Sequence, residues 1–270
     1  MKERRYILDT TLRDGEQTPG LCFTPEQKLK IAALLDIGGV CQIEAGIPAA
    51  SKQEKEIIIK IIENRRNAVI SVWGRLDPSD IEHAADCRPD IIHISVPVSD
   101  THIYTKLKKD RDWVVNQLYA CLELIKKDNI PLSVGFEDVF RCELSFMLSI
   151  VKILSDFGVK RIRLSDTVGV AAPSLVRNVF TELSSHLQGK AELGFHAHND
   201  LGMAVANTVE AVKCGCLYAD VTAGGIGERA GNCDLAKLVA ASSSVFDWGI
   251  TPEGALKLQK DIFRSIISRR

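Results

Sequence analysis

Short β-branched runs alternate along the chain with longer stretches in which apolar positions return at helical spacing. The runs are RYILDTT, VCQIEAG, AVISVWG, IIHISVP, PLSVGFE, RIRLSDT, AELGFHAH and YADVTAG, and they read as strands. Between them lie helix-like segments such as TPEQKLKIAALLDIGG, DRDWVVNQLYACLELIKKDN and APSLVRNVFTELSSHL. In the first, Thr24 stands where an N-cap belongs, Pro25 takes the first helical position and the Gly38–Gly39 pair follows the last turn. Eight strand-then-helix units predict an α/β fold, a closed parallel (β/α)8 TIM barrel over residues 1–250. The closing stretch, 251–270, predicts one extra C-terminal helix. In it Leu256, Ile262, Phe263, Ile266 and Ile267 cluster roughly on one face, which suits docking to a partner or packing on the chain's own barrel.

The polar residues fall in a register of their own. Arg13 and Asp14 follow the first strand, Glu44 closes the second and Arg75 follows the third. Ser95 and Ser99 end the fourth, Glu137, Asp138 and Arg141 follow the fifth, and Asp166 with Thr167 closes the sixth. His196 and His198 end the seventh, and Glu228, Arg229 and Asn232 lie in the loop after the eighth. In a parallel barrel all these positions share the C-terminal rim, where this fold builds its active sites.

Composition excludes more than it assigns. With 270 residues, 46% hydrophobic and 26% charged, the chain is an ordinary globular one. A formal net charge of −1 gives no case for nucleic acid or an acidic membrane surface. No apolar run approaches the roughly 20 residues of a membrane span, and MKERRYILDTTL has no apolar signal core, so a cytoplasmic protein is expected. The eight cysteines are scattered, and the C-x-C of Cys214 and Cys216 has no second pair, so free thiols are expected.

Chemistry concentrates in GFHAHNDLG, residues 194–202. Residues i and i+2 of a strand point to one face, so His196 and His198 aim two imidazoles in one direction. Two imidazoles and one carboxylate make a facial set for a divalent cation that leaves positions open for substrate. Asp14 is the candidate carboxylate, although an aspartate in RDGEQ would also serve to cap a turn. The Gly-rich TAGGIGERAGN lacks the Lys-Ser/Thr of a phosphate loop and lies far from the first strand, so its glycines read as allowing close backbone approach to a ligand.

Four motifs in order, DTTLRDGEQTPG (9–20), SDTVGVAAP (165–173), HAHNDLGMAVAN (196–207) and GIGERAGN (225–232), resemble those of the DRE-TIM metallolyases. The likeness extends over nearly the whole chain. It is greatest to the acyl-CoA-condensing synthases, and HAHNDLGMAVAN with IEAGIPA looks most like homocitrate synthases of the nitrogen-fixation type.

The resemblance implies one divalent metal ion (zinc, manganese, iron or magnesium) held by Asp14, His196 and His198, with Asn232 matching a fourth ligand. It implies catalytic roles for Arg13, which would polarise the ketone of a 2-oxo acid, and for Glu137. Gln17, Asp138, Arg141 and Thr167, with Arg13, would bind substrate, Arg141 being matched to the distal carboxylate of 2-oxoglutarate. The implied reaction is condensation of acetyl-CoA with 2-oxoglutarate to homocitrate. Isopropylmalate or citramalate synthesis, a carbon–carbon lyase of the same family and a non-catalytic binding barrel are the alternatives. Two departures stand out: Gly194 replaces the Glu that many homocitrate synthases carry two positions before the first metal histidine, and the downstream segment that supplies a His and a Tyr in such relatives is not matched. A separate C-terminal subunit, a homo-oligomer, or both, are the expected partners.

Overall fold

The computed structural model describes residues 2–267. A two-residue strand β1 (Glu3–Arg4) precedes the eight barrel strands β2 (Tyr6–Asp9), β3 (Gln42–Glu44), β4 (Val69–Arg75), β5 (Ile91–Pro97), β6 (Leu132–Glu137), β7 (Arg161–Asp166), β8 (Glu192–Ala197) and β9 (Tyr218–Val221). Each pairs in parallel with the next, and β2 closes the ring on β9, from Tyr6 opposite Tyr218 to Asp9 opposite Val221. The predicted (β/α)8 barrel is therefore the fold. Strand β10 (Phe246–Asp247) pairs with β1, and because β1 leads into β2 this small sheet lies at the pole opposite the site. The first barrel strand bonds the second and the eighth but not the seventh, so Asp14 reaches the histidines across the mouth.

The helices are α1 (Pro25–Ile37), α2 (Lys52–Asn64), α3 (Pro78–Asp86), α4 (Arg111–Asp128), α5 (Leu144–Asp156), α6 (Pro173–Leu187), α7 (Ala204–Lys213), α8 (Leu235–Ser242) and α9 (Pro252–Ile267). None among the described residues is long and apolar enough to cross a membrane. Thr24 caps α1 through a full capping box with Gln27. All eight cysteines are free. On α9 the buried residues are Ala255, Leu258, Ile262 and Ser265, packed on α1 and α8. Of the five apolar residues expected on one face, Ile262 is buried, whereas Leu256 and Ile267 are exposed. The chain's own barrel takes most of that face, and residues 268–270 of the expected helix lie outside the described set.

Strand alternation divides the sequence between two environments. On β5, Ile92, Ile94 and Val96 face one way while His93 and Ser95 face the other; on β7, Ile162 and Leu164 alternate with Arg161, Arg163 and Ser165. Bonds between β3 and β7, which are not neighbours, prove that the second set meets inside the barrel: Arg161 donates to Gln42 at 2.6 Å and Arg163 to Glu44 at 2.8 Å. Barrels of this kind are commonly filled by bulky branched residues. Here polar and charged side chains occupy much of the interior.

Candidate functional site

At the C-terminal mouth the strand ends converge on a cavity of about 220 Å³ whose lining includes Arg13, Asp14, Gln17, Glu137, Thr167, His196 and His198. Strand β8 delivers His196, the bridge residue just past its end delivers His198, and the turn after β2 brings Asp14 opposite them. One ligand atom each from Asp14, His196 and His198 lies within 4.8 Å of the others. Asp14 Oδ2 is 3.3 Å from His196 Nε2, and the two Nε2 atoms face each other at 3.3 Å. Asp14 begins a short helical turn but makes no capping bond with its side chain, so its carboxylate is left for the mouth.

This donor set fits a divalent cation on its own geometry. Two imidazole nitrogens and a carboxylate oxygen share one small volume, and the Oδ1 of Asn232 is buried nearby without a hydrogen-bond partner among the described residues. The Asn232 Nδ2 donates to Asp14 Oδ1 at 2.9 Å and to the Ile226 carbonyl at 2.9 Å. Burial pushes His198 down to about 3, and neighbouring His196 adds to that, so this ring is neutral near neutral pH. Burial would also raise the Asp14 carboxyl, but Arg13 and His196 hold it well below the usual carboxylate range.

Arg13 is placed by two carboxylates. Its Nε donates to Glu44 Oε1 at 2.6 Å and its Nη1 to Asp14 Oδ2 at 2.7 Å, and no bond engages Nη2 among the described residues. Burial works against the Glu44 charge, yet Arg163 and Arg13 outweigh it and keep the carboxyl ionised. Glu137 lines the cavity with Oε2 3.4 Å from His102 Nδ1. Thr167 lines it too, and its hydroxyl accepts from the Asp138 backbone N–H at 2.8 Å.

Other rim residues turn elsewhere. Arg141 forks onto Asp138, Nε to Oδ1 at 2.8 Å and Nη2 to Oδ2 at 2.7 Å, and neither residue lines the cavity. The Ser99 hydroxyl also donates to Asp138. Arg75 pairs with Asp80 on the outside, and Arg229 holds Asp200 and Glu228. Sequence reasoning missed four residues that the fold brings in: Lys106 and His102 from a π-helical turn at Thr101–Lys106, and Arg163 and Asp220 from inside the barrel. For the last two the signal was present, as charged residues at alternate positions of RIRLSD and YADV.

Residues 4–249 match the family described as HMGL-like. Among curated proteins, the chain is 41% identical over 233 residues to the homocitrate synthase subunit alpha of Clostridium pasteurianum, covering 86% of this chain and 86% of that one. It is 38% identical over 247 residues to 2-isopropylmalate synthase 2 of Caldanaerobacter subterraneus, covering 91% of this chain but only 64% of the relative. Among solved structures, the HMG-CoA lyase of Bacillus subtilis superposes with a TM-score of 0.86 at 21% identity, covering 99% of this chain and 96% of that one, a likeness of fold.

Proposed function

Because the chain belongs to the HMGL-like family, that of the DRE-TIM metallolyase motifs, we propose that it catalyses metal-dependent condensation of an acyl-CoA with a 2-oxo acid, acetyl-CoA and 2-oxoglutarate giving homocitrate. The observation that carries this reading is the convergence of Asp14, His196 and His198 beside a guanidinium in one cavity. In it, residues 1–250 form the catalytic barrel. Asp14, His196 and His198 hold the cation, with Asn232 at its edge. When bound, the cation supplies Lewis-acid polarisation of the 2-oxo acid's carbonyl.

Arg13 directs its guanidinium at the same carbonyl oxygen and stabilises the negative charge that develops there as the thioester methyl carbon attacks. The new carbon–carbon bond forms as the carbonyl π pair moves to oxygen, which then takes up a proton. Water cleaves the thioester and releases coenzyme A. Glu137 and His102 form a carboxylate–imidazole pair on the cavity wall, and this pair accepts the methyl proton. Thr167 and Gln17 bind the carboxylate next to the ketone. For the distal carboxylate, Lys106 replaces Arg141, since Lys106 lines the cavity with no ion-pair partner among the described residues while Arg141 is engaged by Asp138. The similarity to a chain called subunit alpha, at 86% coverage both ways, supports a second subunit as partner.

The test is release of free coenzyme A from acetyl-CoA by metal-loaded protein, with and without a candidate second subunit, offered 2-oxoglutarate, 2-oxoisovalerate or pyruvate. Preference for 2-oxoglutarate is expected. Preference for 2-oxoisovalerate or pyruvate would overturn homocitrate but keep the reaction class. No release with any of them, together with no cation binding by calorimetry, would overturn the class.

A further inference from the structure

Beneath the mouth, one guanidinium joins the two halves of the site. Arg163 on β7 places Nη1 2.8 Å from Glu44 Oε2 and 2.8 Å from Asp220 Oδ2. Glu44 holds Arg13 with its other oxygen, and Arg13 holds Asp14. On the other side, Asp220 Oδ2 is 3.1 Å from His196 Nδ1, and His196 Nε2 returns to Asp14 at 3.3 Å. The contacts close a ring: Asp14, Arg13, Glu44, Arg163, Asp220, His196 and back to Asp14.

We propose that Asp220 and Arg163 are positioning residues for this ring, Asp220 fixing the orientation and proton of the His196 imidazole and Arg163 anchoring Asp220 to the arginine side of the site. The inference rests on the proposed cation site. An imidazole can ligate through Nε2 only if that nitrogen keeps its lone pair, so the ring proton must reside on Nδ1. A carboxylate 3.1 Å from Nδ1 is the acceptor that holds it there, and such partners commonly set ligand basicity and ring orientation in metal sites.

Asp220 needs Arg163 in turn. Asp220 is buried, and its Oδ1 has no hydrogen-bond partner among the described residues. Stripped of the guanidinium, Asp220 and Glu44 would be two desolvated carboxylates facing one lumen without the cation that bridges them. Arg163 lines the cavity, yet it is only 3% exposed and its Nη1 is shared by two carboxylates, which suits holding the site together better than meeting substrate. Gly194 belongs to the same device. It pairs with Arg163 across β7 and β8, and a Cβ there would already touch Arg163 Cβ and Cγ at 3.6 Å. The glycine that departs from the homocitrate-synthase pattern thus lies against the arginine stem, where a glutamate would introduce a competing carboxylate.

Asp220→Asn keeps the shape while replacing the anionic acceptor beside His196 Nδ1 with a neutral amide, which leaves the Asp14 carboxylate beside Nε2 to claim the ring proton. Calorimetric titration of metal-free protein with Mn²⁺ should show affinity weakened by about 10- to 100-fold. Nitrogen-resolved imidazole NMR of the metal-free protein at alkaline pH should show the His196 proton moving from Nδ1 in the parent to Nε2 in the variant, a change that a purely structural ion pair would not produce. Arg163→Gln should weaken Mn²⁺ binding in the same direction, and it decides the matter if Asp220→Asn fails to fold. Parent-like affinity in either folded variant, or an unmoved proton in Asp220→Asn, would overturn the proposal. Failure of the parent protein to bind Mn²⁺ would instead overturn the cation site itself.

Discussion

Gly227 lies so close to Asn232 that a Cβ on it would fall 2.0 Å from the Asn232 Nδ2 and 3.0 Å from Asp14 Oδ1. Only bare backbone lets the loop after β9 press that amide onto Asp14. The loop is also braced from below, since Thr222 donates to the Ile226 carbonyl at 2.7 Å. The Gly-rich stretch is thus a device for close approach, and what its backbone approaches is a neighbouring side chain of the site.

Gly227→Ala should therefore displace Asn232 without disturbing the barrel. Cation affinity is expected to fall by about tenfold, the scale on which partners of metal ligands act, with thermal unfolding little changed. Calorimetry on the folded variant measures this, and parent-like affinity would show that Asn232 is no part of the cation site.

Arg13 engages Glu44 and Asp14 through different nitrogens of one plane, which a lysine ammonium cannot reproduce. Arg13→Lys keeps the charge and leaves Asp14, His196 and His198 in place. Turnover should drop by about 100-fold or more, the loss typical when a donor to a developing oxyanion is removed, while metal content stays at one ion per chain. Near-normal turnover would reduce Arg13 to a structural ion pair.

The barrel was legible because eight strands carried a repeated signal, and the caps of α1 lay in the sequence outright. The cluster of Asp14, His196 and His198 was legible because two ligands stand two positions apart at a strand's end. Arg141 shows where such reading ends. It follows the correct strand, but Asp138, three residues earlier with positive φ, turns its carboxylate back to capture it. Local chain geometry of that kind leaves no periodic trace. Arg163 and Asp220 were overlooked for a different reason: their charges stand at alternate strand positions in plain view, but that those positions face a shared lumen follows from closure of the ring.

Asp9 makes a statement about stability that is separate from the site. It is fully buried, its Oδ1 accepts from the Thr11 N–H at 2.8 Å, and its Oδ2 has no hydrogen-bond partner among the described residues. Burial pushes its carboxyl up to about 7 against the Thr11 bonds, with Asp220 adding to the rise. The unfolded value is about 4, so between those values the folded chain holds a proton that the unfolded chain has lost. Stability must then fall as pH rises through that window, by an amount on the order of a few kcal/mol. Asp9→Asn mimics the protonated form. In urea unfolding the variant's advantage over the parent should be small at about pH 4 and should grow as pH rises to about 8. An equal difference at both pH values would show that Asp9 does not titrate in this range.

Under the proposed function, Lys106 is the residue that would set the choice of substrate. It lines the cavity without an ion-pair partner among the described residues, whereas Arg13, Arg163 and Arg141 are all committed to carboxylates. A dicarboxylic 2-oxo acid brings a second negative charge that needs such a cation, and pyruvate does not. Lys106→Gln should raise the KM for 2-oxoglutarate by about tenfold at low ionic strength, the lower end for a hydrogen bond to a charged group because this lysine is solvated. The KM for pyruvate should stay unchanged, and added salt should shrink the difference between parent and variant. Arg141→Gln is the control, since its guanidinium is held by Asp138 away from the cavity, and it should leave the 2-oxoglutarate KM near the parent value. If Arg141→Gln raises that KM and Lys106→Gln does not, the distal carboxylate belongs to Arg141 and the loop after β6 must open to receive it.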